Sequence, residues 1–299
     1  MKILYSLTSP KRIDKFLVEV TDYSRTSIKK MLEQNLVLVN DNIITKQSYL
    51  LQKNDSVEIK NEQCVIDSQK ELLPFACPLE IVFEDQDLLV INKPSGMLVH
   101  PTSFQEQNTL ANALKHYLKT DDFYITHRLD KNTSGLIVIC KNQKALCCLQ
   151  QQFMQKTVKK SYYAIVHNRF DMHHLHFMIN EPIGHSYQDK LRMKTGDAKN
   201  AKEAISIVKV IEQYQNTALV EVSIITGRTH QIRVHMRHIN HPIYNDPLYG
   251  ISKHTTPYEQ YLHSFYISFI HPSTNEIVEF KTLMPNEFIN LIKEWKTNE

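Results

Sequence analysis

Residues 125–142 read ITHRLDKNTSGLIVICKN. The second half contains an unbroken apolar run, Leu136 to Cys140, the pattern of a buried strand. The first half is polar and places Arg128 two positions before Asp130, with turn-forming residues after them. A surface turn has no need of an ion-pair-capable carboxylate leading into a buried strand. An active site does, because a sheet can hold its reacting groups rigidly. The stretch therefore predicts a functional loop between Thr126 and Ser134, anchored by a strand.

On either side, strand and helix patterns mix without a regular βαβ alternation. LEIVFED (79–85) and LLVINK (88–93) read as strands, and NTLANALKHYLK (108–119) as a helix with Leu110, Ala113, Leu114 and Tyr117 inward. Asn142 is placed to cap a helix over QKALCCLQQQFMQ (143–155), in which Ala145, Leu149 and Phe153 align. SYYAIV (161–166), EAISIVKVI (203–211) and TALVEVSII (217–225) read as strands, THQIRVHMRHI (229–239) as a helix, and YISFIHP (266–272) and IVEFKTL (277–283) as strands. This order predicts an α+β domain over residues 79–299, built on a mixed, largely antiparallel central sheet.

Residues 11–60 read as a small α/β unit of their own. Ile13, Phe16, Leu17 and Val20 share a helical face, and a second helix is expected after Ser24 as N-cap, with Ile28, Met31 and Leu32 as its stripe. Short β segments follow in LVLVN, IIT and DSVEIK. Opposite the second stripe, Arg25, Lys29 and Lys30 form a basic face. Residues 61–78 lack periodicity, carry Pro74 and Pro78, and read as a linker.

At 299 residues and 42% hydrophobic, the chain can fill a sizeable core. No apolar run approaches the length of a membrane helix, and the start is too short in apolar residues for a signal peptide. The expectation is a soluble cytoplasmic protein with no membrane partner. Five cysteines without a CxxC pair read as free thiols, which excludes a disulfide framework or a zinc ribbon. Residues 1–60 hold ten Lys/Arg against seven Asp/Glu, whereas the remaining 239 hold 25 of each. The excess positive charge is thus N-terminal and points toward a polyanion.

Within 229–239, Ile232, Met236 and Ile239 are spaced to face a core, and His230, Arg233 and Arg237 share an adjacent stripe. Such a helix presents Arg233 from its first turn. A guanidinium set beside Asp130 would favour the charged carboxylate. His235, His238 and His241, and HHLH at 173–176, raise a metal alternative. Interleaved Arg233 and Arg237 would repel a cation, and no cysteine or carboxylate set completes a site, so no metal is expected.

Three segments together carry a family resemblance: INKPSGMLVHPT (91–102), HRLDKNTSGL (127–136) and TGRTHQIRVHMRHINHPIYNDPLYG (226–250). With KKSYYAIV and LHSFYISFIHP, they resemble the RluA family of pseudouridine synthases, with RluD-like spacing, from about Leu79 to Pro285. RIDKFL, SRTSIKKML and VLVNDNIIT resemble the S4 RNA-binding module. Asn35 stands where that module usually has Gly, Asp41 follows Asn40 where Asn-Gly is common, and Asn245 occupies a usual Gly of the larger family. Asn tolerates a left-handed backbone better than most residues, so the exchange at position 35 is mild.

The resemblance implies a pseudouridine synthase fold and roles for particular residues. Asp130 would act as nucleophile or base at the uridine ribose, Arg233 as its ionic partner, and Tyr162 as the stacking platform and a participant in proton transfer. Ile232 would pack under the base. Arg128 would help displace or replace the flipped nucleotide, and His127 belongs to the same substrate-binding motif. Arg25, Lys29 and Lys30 would contact RNA. The reaction is a redox-neutral isomerisation, so no cofactor is implied. The implied partner is structured RNA, with large-subunit ribosomal RNA favoured and tRNA the alternative, and the implied state is a monomer. A non-catalytic RNA-binding assembly factor and a metal-dependent nuclease are the competing readings.

Overall fold

The structure, a computed structural model, describes residues 2–6, 9–21, 23, 25–60, 72–102, 104–189, 191–251 and 256–297. The expected N-cap Ser24 and residues 61–71 of the expected linker lie outside the described residues. The chain forms two compact units, Met1–Glu71 and Leu72–Glu299.

In the smaller unit, strands β1 (Lys2–Leu4), β2 (Lys11–Arg12), β3 (Val37–Val39), β4 (Asn42–Ile43), β5 (Leu50–Leu51) and β6 (Ser56–Ile59) accompany helices α1 (Ile13–Val20) and α2 (Arg25–Glu33). A four-stranded sheet runs β1-β6-β3-β4, and β2 pairs with β5. Ile13, Phe16 and Leu17 of α1 and Ile28, Met31 and Leu32 of α2 share one core. Val20 departs from the expected stripe and is 39% exposed. It is the last residue of α1, so the helix stops before the stripe can use it. Asn35 takes φ 62°, and Asn40 and Asp41 take φ 50° and 64°. Two consecutive left-handed residues between β3 and β4 make a type I′ hairpin turn, the geometry that Asn-Gly usually supplies. Arg25 and Lys29 are exposed, with Lys29 3.6 Å from Glu33, and Lys30 is half-buried.

The larger unit contains β7 (Ile81–Glu84), β8 (Leu88–Lys93), α3 (Leu110–Leu118), β9 (Tyr124–Ile125), β10 (Ser134–Cys140), α4 (Gln143–Met154), β11 (Lys159–His167), β12 (His176–Asn180), β13 (Ile183–His185), β14 (Met193–Thr195), β15 (Lys199–Lys202), β16 (Ile205–Gln213), β17 (Thr217–Ile224), α5 (Gln231–His238), β18 (Leu262–Ile270), β19 (Ile277–Lys281) and α6 (Asn286–Thr297). A ten-stranded sheet runs β12-β16-β17-β11-β18-β10-β8-β7, with β9 on β10 and β19 on β18. Among the described residues its one parallel pairing, β10 with β18, makes it mixed and largely antiparallel, as expected.

Every residue of β10 is buried. Ile137 and Ile139 enter one core, and Leu136, Val138 and Cys140 another on the opposite face. A strand covered on both faces loses the polar alternation of a half-buried one, which is why its sequence reads as a continuous apolar run. Thr109 caps α3 through Asn112, and Asn142 caps α4 through the Ala145 amide at 2.9 Å. Tyr117 is not inward: it is 43% exposed, and its hydroxyl donates to Glu84. Residues 72–78 belong with the larger unit, where Leu73 and Phe75 bond to Asn112.

Candidate active site

Asp130 lies in the turn that feeds β10. This turn is fixed on several sides. The Thr133 amide closes it on the Asp130 carbonyl at 3.1 Å, and Gln260 Nε2 donates to Thr133 Oγ1 at 2.6 Å. Ser95 donates to the Asn132 carbonyl at 2.9 Å, while Ser134 Oγ bonds both His263 Nδ1 and the Tyr258 hydroxyl. Burial pushes His263 down to about 4, so its ring is neutral at pH 7. Gly135 takes φ +111°, and a Cβ there would sit 2.3 Å from the Ser264 carbonyl oxygen. Only glycine allows β10 and β18 to approach at this point.

Lys93, wholly buried at the end of β8, reaches into the same turn. Its Nζ donates to the carbonyls of Pro94 (2.8 Å), Met97 (2.9 Å) and Lys131 (3.1 Å). Burial pushes this amine down to about 7, with the charge of Asp130 acting in the opposite direction. Three carbonyl acceptors call for three N–H donors, which only the protonated form has. The geometry therefore keeps the ammonium.

Arg233 stands in the first turn of α5 and links two carboxylates. Its Nη1 donates to Asp130 Oδ2 at 2.8 Å, while Nε and Nη2 grip Asp246 Oδ2 and Oδ1 at 2.7 and 2.9 Å. Asp246 Oδ1 also accepts the amides of Leu248 and Tyr249. A planar guanidinium held in a two-pronged grip has little freedom, so the remaining prong is aimed at Asp130. Burial opposes the charge on Arg233, but the bonds and charges of Asp246 and Asp130 outweigh it and raise its pKa. His230, at φ 56°, bonds the Tyr249 hydroxyl through Nδ1, and its Nε2 is 3.9 Å from Asp130 Oδ2. Asn245 (φ 57°) precedes Asp246, and its side chain donates to Thr256 and Tyr258.

Asp130 borders a cavity of about 450 Å³ that Tyr162, Lys160, Ile224, Arg228 and His230 also line. A narrower slot of about 70 Å³, lined by Tyr162, Ile224, Ile232 and Leu262, lies against the same carboxylate. Burial pushes the Tyr162 hydroxyl up to about 12, with a hydrogen bond from Ser264 acting the other way, so the phenol is neutral. Arg128 is exposed and lines both spaces. The structure thus gathers Asp130, Tyr162, Arg233, Ile232 and Arg128 around one space. His127 also borders the larger cavity, but its Nε2 accepts the Val138 amide at 3.0 Å and its ring packs on Phe153. Burial pushes it down to about 3. Its geometry is that of a brace on β10.

Three of the histidines considered for a metal go to separate partners. His235 bonds Ser206 and the Glu181 carbonyl, His238 bonds Thr195, and His241 bonds the His167 carbonyl and stacks on Phe170. Two residues of the site, Asp246 and Lys93, carry no mark in the sequence. Both lie within motif segments, YNDPLYG and INKPSG, yet no local pattern assigns either a role. A lone acid beside proline and a lysine beside a turn look like surface residues until their burial is known.

Residues 87–238 match the sequence model described as RNA pseudouridylate synthase, and residues 11–57 match the S4 domain. An uncharacterized RNA pseudouridine synthase of Mycoplasma genitalium is 39% identical over 98% of this chain and 95% of its own length. One of Bacillus subtilis is 37% identical over 96% and 95%. The ribosomal large subunit pseudouridine synthase D of Neisseria meningitidis serogroup B is 35% identical over 94% of this chain and 78% of its own. Among solved structures, human RNA pseudouridylate synthase domain containing 1 superposes with a TM-score of 0.61 at 27% identity, covering 69% of this chain and 83% of that one. These matches bear out the resemblance drawn from the three motifs.

Proposed function

Because the chain belongs to the RNA pseudouridylate synthase family and is an RNA pseudouridine synthase, we propose that it isomerises specific uridines of large-subunit ribosomal RNA through Asp130. The observation that carries the site assignment is the Asp130–Arg233–Asp246 chain of charges at the edge of a cavity walled by Tyr162. The relatives named for the large ribosomal subunit support the choice of RNA.

A uridine stacked in RNA hides both C1′ and C5, so it must be extruded. Arg128, exposed at the rim, fills the vacated stack. The uracil ring lies on Tyr162, with Ile224 and Ile232 as apolar walls. The Asp130 carboxylate attacks or stabilises C1′ as the N1–C1′ bond breaks, the same use of a carboxylate that glycosidases make. The ring turns, C5 bonds to C1′, the C5 proton leaves and N1 takes one up. Arg233 keeps the carboxylate aimed, and Asp246 keeps Arg233 in place. Arg25, Lys29 and Lys30 of the S4 unit supply phosphate contacts.

Two measurements test this. Mapping pseudouridines in ribosomal and transfer RNA from cells with and without the protein identifies its targets; losses confined to tRNA would redirect the assignment. Asp130→Ala and Asp130→Asn should lower tritium release from 5-tritiated uridine RNA by at least about 10³-fold, with RNA affinity nearly unchanged. An active Asp130→Ala enzyme would refute the role of Asp130.

A further inference from the structure

Lys160 is a cation of the cavity wall for which the mechanism above has no use. It lies on β11 two residues before Tyr162, and both side chains line the cavity that holds Asp130. Among the described residues no carboxylate or hydrogen-bond acceptor pairs with its Nζ. Its polar head lies 5.2 Å from the Phe153 ring centroid, over the ring face, and a Cβ on Gly227 would come within 3.4 Å of it. Holding an ammonium half-buried without a counter-ion is costly, and one that shares a cavity wall with the reacting carboxylate is left for something that enters.

We propose that Lys160 is a catalytic residue whose ammonium stabilises the negative charge on the uracil ring once N1–C1′ has broken. This rests on the uridine isomerisation at Asp130 proposed above. When that bond breaks, its electron pair leaves with the ring, and the charge spreads over N1, O2 and O4. C5 then uses the ring's own electrons to bond C1′; its proton departs and N1 gains one, so composition is unchanged and Lys160 transfers nothing. A fixed cation in a site shielded from water favours the ring anion far more than the neutral ring of bound uridine. It also holds the detached ring in the cavity while it turns.

The groups around Lys160 leave it as the one that changes charge near pH 8. Burial pushes it down to about 8. His127, pushed to about 3, and His230, also lowered by burial, are neutral there, and Tyr162 stays protonated to about 12. Arg128, Arg228 and Lys156, the last paired with Glu203, are the other cations of the wall, and Asp130 is its carboxylate.

The test uses the full-length enzyme and total RNA labelled with 5-tritiated uridine from cells lacking it. Wild type, Lys160→Met, Lys160→Arg and Asp130→Ala are compared in single turnovers at saturating enzyme, from pH 6 to 10. Lys160→Met should release tritium about 100-fold more slowly, with RNA affinity within about threefold of wild type by the same measure. Lys160→Arg should recover about tenfold of that loss. The wild-type rate should fall above about pH 8, and the fall should be absent in both variants. The proposal is overturned by a Lys160→Met rate close to wild type at saturation, or by a deficit confined to affinity, which would make Lys160 a phosphate anchor. It is equally overturned if Arg gives no rescue and the alkaline fall persists, which is the mark of a merely structural role. If Lys160→Met fails to fold, the Arg variant and its pH profile decide alone. Turnover by Asp130→Ala would count against the Asp130 assignment, whatever Lys160 does.

Discussion

Two lysines near Asp130 are held in opposite ways. In the turn that carries the carboxylate, Lys93 has all three of its donors satisfied by carbonyls of Pro94, Met97 and Lys131. On the cavity wall, Lys160 faces an open space with only the Phe153 ring beneath it. The contrast separates support from function. A saturated cation rigidifies what surrounds it, because every opening breaks several bonds at once. An unsaturated one remains available to a charge that arrives later. Preorganised sites need both.

The sharpest way to break that contrast is to remove the saturated member. Lys93→Met would leave three carbonyls without their donor and should destabilise the larger unit by about 3 kcal/mol or more; urea denaturation reads this directly. An unchanged midpoint would show that the turn does not depend on Lys93. Lys160→Met, by contrast, should leave the midpoint within about 1 kcal/mol of wild type or raise it, since it removes a half-buried charge that has no counter-ion.

Asp246→Asn probes the next layer of support. Asn can still accept the Leu248 and Tyr249 amides but loses the charge opposite Arg233. The guanidinium then loses its grip, and the rate at saturation should fall about 100-fold through misplacement of Asp130. RNA affinity should stay nearly constant. A loss confined to affinity would place Asp246 outside the aiming of the carboxylate.

Acid sharpens the comparison from the side of the turn. His263 is held neutral in the fold, with its pKa lowered from 6.5 to about 4 by burial. The unfolded chain therefore binds more protons than the folded one in that interval, and stability falls as pH drops through it. By pH 5, His263 alone should cost roughly 2 kcal/mol relative to pH 8. Thermal denaturation across this range checks it, and His263→Gln should flatten the slope.

The smallest effect is expected far from the reacting groups. Replacing Arg25, Lys29 and Lys30 by Gln should reduce the slope of log affinity against log salt by about 0.7–0.9 for each phosphate that is no longer neutralised. Turnover at saturating RNA should not change. A fall in saturated rate would tie the S4 face to the chemical step.

Much of this molecule is legible in its chain. The run Leu136–Cys140 announces a strand buried on both faces, the Asn142 cap marks the start of α4, and Ile232 and Met236 mark the inner face of α5. Asn40 and Asp41 make a hairpin turn where Asn-Gly is common, because two short polar side chains tolerate positive φ. Tyr117 and Val20 both stand in the last turn of their helices: periodicity gives the face of a helix, but not where the helix ends. Asp246 and Lys93 stay hidden because nothing local marks a polar residue as buried.

By itself, then, the sequence determined the class of fold and which loop would hold the chemistry, since both rest on local patterns and on motifs contiguous in the chain. Only the tertiary structure decided who partners whom. Arg233 and Asp130 are 103 positions apart, and Lys93 reaches Lys131 across 38. Such pairings depend on strand order and on the parallel contact of β10 with β18, where Gly135 lets two backbones meet. Charge becomes decisive at these sites because burial removes the water that would otherwise screen it, and burial is a property of the whole fold.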